Sequence, residues 1–537
     1  MTMELDLLFR DGLVVDGTGG PRYVADVGIA AGAIRSVGRL GRVSAARVID
    51  ARGLIVAPGF VDMHTHSDVR LLDEPRAEAA TMQGVTTEVI GQDGLSLAPA
   101  NAETMELIRR HTASWNGDAP DCDWAWTSVA GYLEHLDGKT SPNVAYLVPH
   151  GTVRMLVMGY EDRPPTPDEL AEMCRHVAQG MEEGAVGLST GLSYPPAMYA
   201  DTDEMVELCR EVAARGGYFS THHRSYGKDA LGAYREMFEV GRRSGVPVHL
   251  THCVMNFPGN EGKAEELVAE INALDPREVE VTVDTYPYLA GSTYLASLLP
   301  PWVSRNGPDG VLVALRDEET ARRMRHEVDV EGTPGYHGMP MDWGTIEISS
   351  VGTEANRRWV GCTVAEIGAA QGIPPFEAAR KLLLEEDLDV NILLHVGHEE
   401  NVRTIMRQPY HTVGSDGLMA GQKPHPRAWG AFARYLAHYA RDEGMFTWEQ
   451  MAVKMSSLPC RRLGQWDRGI LRPGMAADIV AYDPVAVRDT ATYENPRQYP
   501  EGIPYVAVNG VLVKDDGRHT GALPGRVLSL QRQERSS

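Results

Sequence analysis

An α/β fold, a TIM-like (β/α)8 barrel with a small β-sandwich domain built from both chain termini, is what the sequence predicts, on three observations. The middle of the chain alternates short apolar strands with amphipathic helices: GVTTEVIG, NVAYLVPHG, GAVGLSTG, GYFSTHH, VPVHLTHC and VEVTVDTYPY are spaced by stretches such as ELAEMCRHVAQGMEE. Polar side chains recur at the strand ends, as they do when functional groups ring one mouth of a barrel. Both chain ends, by contrast, carry β-branched runs punctuated by glycine and aspartate turns. A doubly wound open sheet is the alternative, and the lack of a G-x-G-x-x-G after the first strand of the repeat counts against it.

Taken in order, LDLLFRDGLVVDGTGG, ADVGIAAGAIRSVG and ARVIDARGLIVAPG read as antiparallel strands. The far end repeats the style in RGILRPGMAADIVAYDP and YVAVNGVLVKDD, where Asn509-Gly510 separates two alternating runs as a tight hairpin would. Residues 1–58 plus 465–537 are therefore expected to form the β domain and 59–464 the barrel. From about 290 to 345 the rhythm is broken by PPWVSRNGPDG, a charged helix and EGTPGYHGMPMDWG, too long for an ordinary connection and read as an inserted lid or substrate-binding segment.

The 537 residues, 43% of them hydrophobic, suffice for one large core and a companion domain. The six cysteines are scattered without a C-x-x-C, so reduced thiols are expected rather than a disulfide framework. No basic flank with an apolar run opens the chain, and no stretch approaches about 18 apolar residues. A cytoplasmic protein without a membrane segment is the expectation. A formal charge of −23 with interspersed basic residues argues against nucleic acid. A small molecule is left as the partner, with the oligomeric state open.

The chemistry concentrates at GFVDMHTHSD, where an apolar run broken by Pro58 and Gly59 resumes and delivers His64 and His66 to a strand end. Alternate strand residues face the same way, so both imidazoles can hold one metal ion. Three more metal-type ligands fall at later strand ends: His222 in FSTHHR, His252 in VHLTHC and Asp416 in TVGSDG. A barrel mouth collects all five. Two further histidines stay open: His150 in LVPHG, at the third strand end, suits a place behind the ligands, and His223, on the opposite strand face from His222, suits packing or surface.

The order H-x-H, His, His, Asp on a βα barrel with a split β domain resembles the amidohydrolase superfamily. More narrowly, DGTGGPRYVADVGI, APGFVDMHTHSD, GLSTGLSYPPAMYA, TYPYLAGSTYLASLLPPW, EENVRTIMRQP, VGSDG and HPRAWGAFAR, spread through nearly the whole chain, are similar to N-acyl-D-amino-acid deacylases. The resemblance implies a hydrolase of amide C–N bonds with one zinc held tightly by His222 and His252. His64, His66 and Asp416 would surround a second divalent metal position. It implies that zinc activates the attacking water, that Asp416 serves as general base and then acid, and that Tyr194, Tyr286, Ser292 and Arg427 contact substrate.

Two positions depart from the family pattern. Where the family has a metal-binding cysteine in G-N-C-G, this chain reads GQDG, so Asp93 stands as the expected ligand, harder than a thiolate and different in metal preference. Where the family commonly places a lysine two residues after the sixth-strand histidine, this chain has Val254. No lysine falls at the fourth strand end, where a carbamylated one would bridge two metals. These departures keep open a cyclic amide or ureide hydrolase or a deaminase of the same superfamily; a barrel that binds without catalysing is a third reading, which the intact ligand set counts against.

Overall fold

The computed structural model describes residues 4–333 and 337–531. Eight parallel strands, Phe60–Asp62, Val85–Ile90, Asn143–Pro149, Gly187–Gly191, Tyr218–His222, Val248–Leu250, Val281–Thr285 and His411–Val413, follow one another in chain order around a sheet. The first and eighth close the barrel: Met63 N donates to Val413 O at 3.1 Å, His66 N donates to Gly417 O at 3.1 Å, and Thr65 bridges Gly417.

Period-two side-chain alternation divides each strand between two cores. Val89, Ala145 and Leu147 point into the barrel beside Val61 and Met63, whereas Ile90, Tyr146 and Val148 point outward into the helical layer. Local sequence supports that layer. Thr166 and Glu169 form a reciprocal capping box before the helix Pro167–Glu182, and Asp201 caps Thr202–Ala214. Such caps stabilise a helix by about 1 kcal/mol each and fix where it starts after its strand.

Nine strands from both chain ends form one sheet, joined where Ile55–Pro58 pairs antiparallel with Ile479–Tyr482. Alternation again splits its faces: Ile479 and Ala481 pack with Phe9 and Ile29, and Val480 and Tyr482 pack toward the barrel with Phe432 and Tyr435. Asn509 and Gly510 both have positive φ, 48° and 81°, as a two-residue hairpin turn requires. The expectation of antiparallel strands alone is corrected: Glu4–Val14 runs parallel to Ser44–Asp50 and to Ile55–Pro58. The intervening strands carry the chain back, so two neighbours of the first strand point its way.

Two boundaries also move. Residues 525–528 leave the terminal sheet: Val144 N donates to Arg526 O at 2.9 Å, and Leu528 is buried among Val61, Met63 and Leu147 in the barrel interior. The inserted segment runs well past 345. Ala290–Tyr294, Ile346–Val351 and Val390–His395 form a three-stranded antiparallel sheet with its own apolar core, between the seventh and eighth barrel strands. Its later strands and helices follow one another as barrel units do, which hides the excursion from a reading of rhythm.

Candidate metal centre

The first strand presents His64 and His66 from one face, with their Nε2 atoms 3.2 Å apart. Asp62 fixes this end: its Oδ1 accepts hydrogen bonds from His64 N at 3.2 Å and Ser415 N at 2.8 Å, tying the first loop to the eighth. Asp416 N in turn donates to His64 O at 2.7 Å. Asp93 stands on a turn between Gly91 (φ 80°) and Gly94 (φ 71°), where a Cβ on Gly91 would lie 2.3 Å from Leu147 O. Gln92 anchors that turn by donating to Met63 O at 2.7 Å and accepting from Ser220 Oγ at 2.9 Å.

These supports converge the side chains. Asp93 Oδ2 lies 3.3 Å from His222 Nδ1, 3.5 Å from His252 Nε2 and 3.7 Å from His66 Nε2. Asp93 Oδ1 lies 3.6 Å from His64 Nε2, and Asp416 Oδ1 lies 3.5 Å from His64 Nε2 and 3.3 Å from His66 Nε2. Three overlapping triads result, each with ligand atoms within 4.8 Å of one another: Asp93–His222–His252, His64–His66–Asp93 and His64–His252–Asp416. Asp93, His252 and Asp416 all have positive φ, 54°, 31° and 49°. Strained backbone of this kind persists where the surroundings hold it, commonly at functional sites.

The donor set fits zinc, which takes imidazole and carboxylate ligands. Asp93 Oδ1 is buried without a hydrogen-bond partner among the described residues, as a metal ligand would be before its ion is added. The other ring nitrogens are held in place: Ser193 Oγ lies 2.5 Å from His222 Nε2, and Tyr226 Oη lies 3.2 Å from His252 Nδ1. Contacts of this type orient metal-ligating imidazoles. Burial pushes His64 down to about 4. Burial acts in the same direction on His66 and His252, but the nearby carboxylates outweigh it and raise both. Burial would raise Asp416, yet Arg427 and then His64 hold it well below the usual carboxylate range. The pull of two carboxylates for protons marks a place for positive charge.

Tyr194, Tyr286 and Ser292 line a cavity over this cluster, together with Val254, Asn256 and Leu418. Arg427 lies behind that surface, fully buried, with Nη2 2.8 Å from Asp416 Oδ2 and its guanidinium carbon 4.4 Å from the Tyr286 ring centre. His150 is not behind the ligands: its ring bonds Thr190 Oγ1 and Glu204, both at 2.8 Å, in a separate buried network with Arg154. His223 packs between the rings of Tyr226 and Tyr234, at 4.0 and 3.9 Å.

Sequence reasoning missed Trp115, whose ring stands 5.5 Å from that of His66, along with Ser193, Tyr226 and Asp284. Asp284 accepts from His252 N at 2.9 Å and reaches within 3.9 Å of His64 Nδ1. Its place as an acid near the end of the seventh strand, in VTVDT, was a usable signal; the other three come from a helix end and loops and carried none.

The family model described as "Amidohydrolase family" matches residues 47–514. The chain belongs to the amidohydrolase family. This amidohydrolase is 34% identical over 535 residues to a D-aminoacylase of Alcaligenes xylosoxydans xylosoxydans, covering 98% of each chain. It is 34% identical to an N-acyl-D-glutamate deacylase of the same organism, covering 98% of this chain and 97% of the other. Among solved structures, an N-acyl-D-glutamate deacylase from Bordetella bronchiseptica, complexed with zinc and a phosphonate inhibitor, superposes with a TM-score of 0.82 at 32% identity, covering 98% of this chain and all of that one. Among the described residues of the amidohydrolase, no helix is long and apolar enough to cross a membrane.

Proposed function

We propose that the protein is a zinc-dependent deacylase that hydrolyses N-acyl-D-amino acids to a carboxylate and the free amino acid. The observation that carries this reading is the convergence of Asp93 with His222 and His252 on one side and His64 and His66 on the other, beside an Asp416 that faces the same cavity. The full-length likeness to proteins named for this reaction supports it.

His222, His252 and Asp93 would hold the tight zinc, with His64, His66 and Asp416 at a second position. Zinc, when bound, acidifies water and polarises a carbonyl. Asp416 Oδ1 accepts the proton of the attacking water and returns it to the leaving nitrogen as the amide C–N bond breaks. Tyr286 and Ser292 meet the substrate carboxylate, with the buried Arg427 guanidinium behind Tyr286 supplying positive charge rather than a direct contact, and Tyr194 contacts the acyl side. Among the described residues lining the cavity none is a lysine or arginine, and Val254 and Leu418 favour an uncharged amino-acid side chain. Six cysteines free of disulfides agree with a cytoplasmic enzyme.

Zinc-loaded protein is expected to release carboxylate from N-acetyl-D-methionine or N-acetyl-D-leucine and to leave the L-enantiomers largely intact. Release from neither enantiomer, with ring opening of a cyclic amide or ammonia release instead, would overturn the reading.

A further inference from the structure

A second cavity lies on the far side of the aromatic wall that bounds the site. The wall is one layer of side chains. Trp115, Tyr194 and Tyr294 contact one another with ring centres 5.0 to 5.6 Å apart. On its inner face Trp115 meets His66 and Tyr194 meets His222, with ring centres 5.5 and 4.6 Å apart. On its outer face Tyr294 borders the second cavity, where its hydroxyl lies 3.2 Å from His111 Nε2. Pro195, Ala296, Val311 and Leu388 give that cavity an apolar lining, and Arg110 stands at its edge in ion pairs with Asp309 and Asp387.

An N-acyl amino acid has two arms diverging from its scissile amide. With the carboxylate arm toward Arg427, Tyr286 and Ser292, the acyl arm faces Trp115 and Tyr194. The Trp115 indole N–H is buried without a hydrogen-bond partner among the described residues. A buried donor in that state costs free energy unless an acceptor reaches it.

The geometry points to the outer cavity as an acyl-chain subsite: the acyl group lies along the Trp115–Tyr194–Tyr294 wall, and its tail displaces the Tyr294 ring, which both packs in the wall and borders the outer cavity, to enter the space lined by Pro195, Ala296, Val311 and Leu388. This inference rests on the deacylase reading and adds the acyl class, medium-length or aromatic apolar groups in preference to acetyl. Each methylene that leaves water for such a lining strengthens transition-state binding until the space is filled.

The test compares N-acetyl, N-hexanoyl and N-phenylacetyl derivatives of one D-amino acid with the zinc-loaded enzyme. The kcat/KM of the longer substrates is expected to exceed that of the acetyl compound by at least about tenfold. Val311→Trp and Ala296→Phe, which fill the cavity away from the metal ligands, are expected to erase that gain while leaving acetyl turnover within about twofold. Acetyl turnover equal to or above hexanoyl and phenylacetyl in the wild type overturns the subsite alone, and so does a gain that survives in a folded filling variant. Failure of all three substrates overturns the deacylase reading and the subsite with it. The wild-type series decides the matter even where a filling variant does not fold.

Discussion

Arg427 Nη2 lies 2.8 Å from Asp416 Oδ2, which leaves Oδ1 of the same carboxylate facing His64 and His66 at 3.5 and 3.3 Å. The two oxygens thus have different work, one held by a guanidinium from behind and the other presented to the cluster. Burial alone would raise the Asp416 carboxyl, and Arg427 is the strongest of the groups that lower it. Asp416 acts as a base only when ionised, so activity falls as pH drops through its pKa. Arg427→Met is expected to shift the acidic limb of the kcat/KM profile to higher pH and to raise KM. A limb at the wild-type pH would show that Arg427 does not tune Asp416.

Asp416→Asn keeps the shape of the side chain and removes its capacity to take a proton. Turnover is expected to fall by about 10²–10⁴-fold, with the tight metal retained because Asp93, His222 and His252 form a triad without it. Rates near wild type in metal-replete protein would contradict the assigned role.

Asp93 belongs to two of the three triads, so its loss disturbs both metal positions. Asp93→Ala is expected to lower zinc content measured by elemental analysis, and Asp93→Cys to restore it with altered preference among divalent ions. Unchanged content in Asp93→Ala would make the residue a turn former only.

Ser193 and Tyr226 touch the ring nitrogens of His222 and His252 that face away from Asp93. Ser193→Ala and Tyr226→Phe are each expected to weaken zinc binding by about 10–100-fold, read by competition with a chromophoric chelator. Equal affinity would show that the imidazoles are oriented by packing alone.

Much of this centre is legible in the sequence because barrel geometry sends the ends of successive strands to one mouth. His64 and His66 at a two-residue spacing, His222, His252 and Asp416 needed only strand assignments to be grouped. Trp115 was not legible: it reaches the site from the end of the helix Ala102–Asn116, and helical position says nothing about which loop it will meet. Arg427 illustrates the other limit. Its residue type suggested an anion, but its pairing with Asp416 depends on how the helix Arg427–Arg434 starts beneath the eighth loop. The parallel pairing of Glu4–Val14 escaped detection because strand direction is set by tertiary connection, whereas turn residues report only local reversal.

Away from the site, Lys454 donates to Gln408 O at 2.5 Å, and burial lowers its ammonium to about 7. The unfolded chain holds this proton up to about pH 10.4, so between the two values unfolding takes up a proton and stability rises with pH. The cost is greatest below pH 7. Lys454→Met is expected to raise Tm most near pH 6.5 and progressively less toward pH 9.5, by an effect on the order of 1–3 kcal/mol at its largest. A Tm difference independent of pH would contradict the titration.

The central claim is that Asp93, His222 and His252 share one zinc ion within reach of Asp416. Anomalous diffraction at the zinc absorption edge, from crystals of the protein grown with zinc, tests it most directly. The account predicts a strong peak bounded by Asp93, His222 Nδ1 and His252 Nε2, with any second peak toward His64 and His66. Zinc-replete crystals with no anomalous density among these side chains would contradict it.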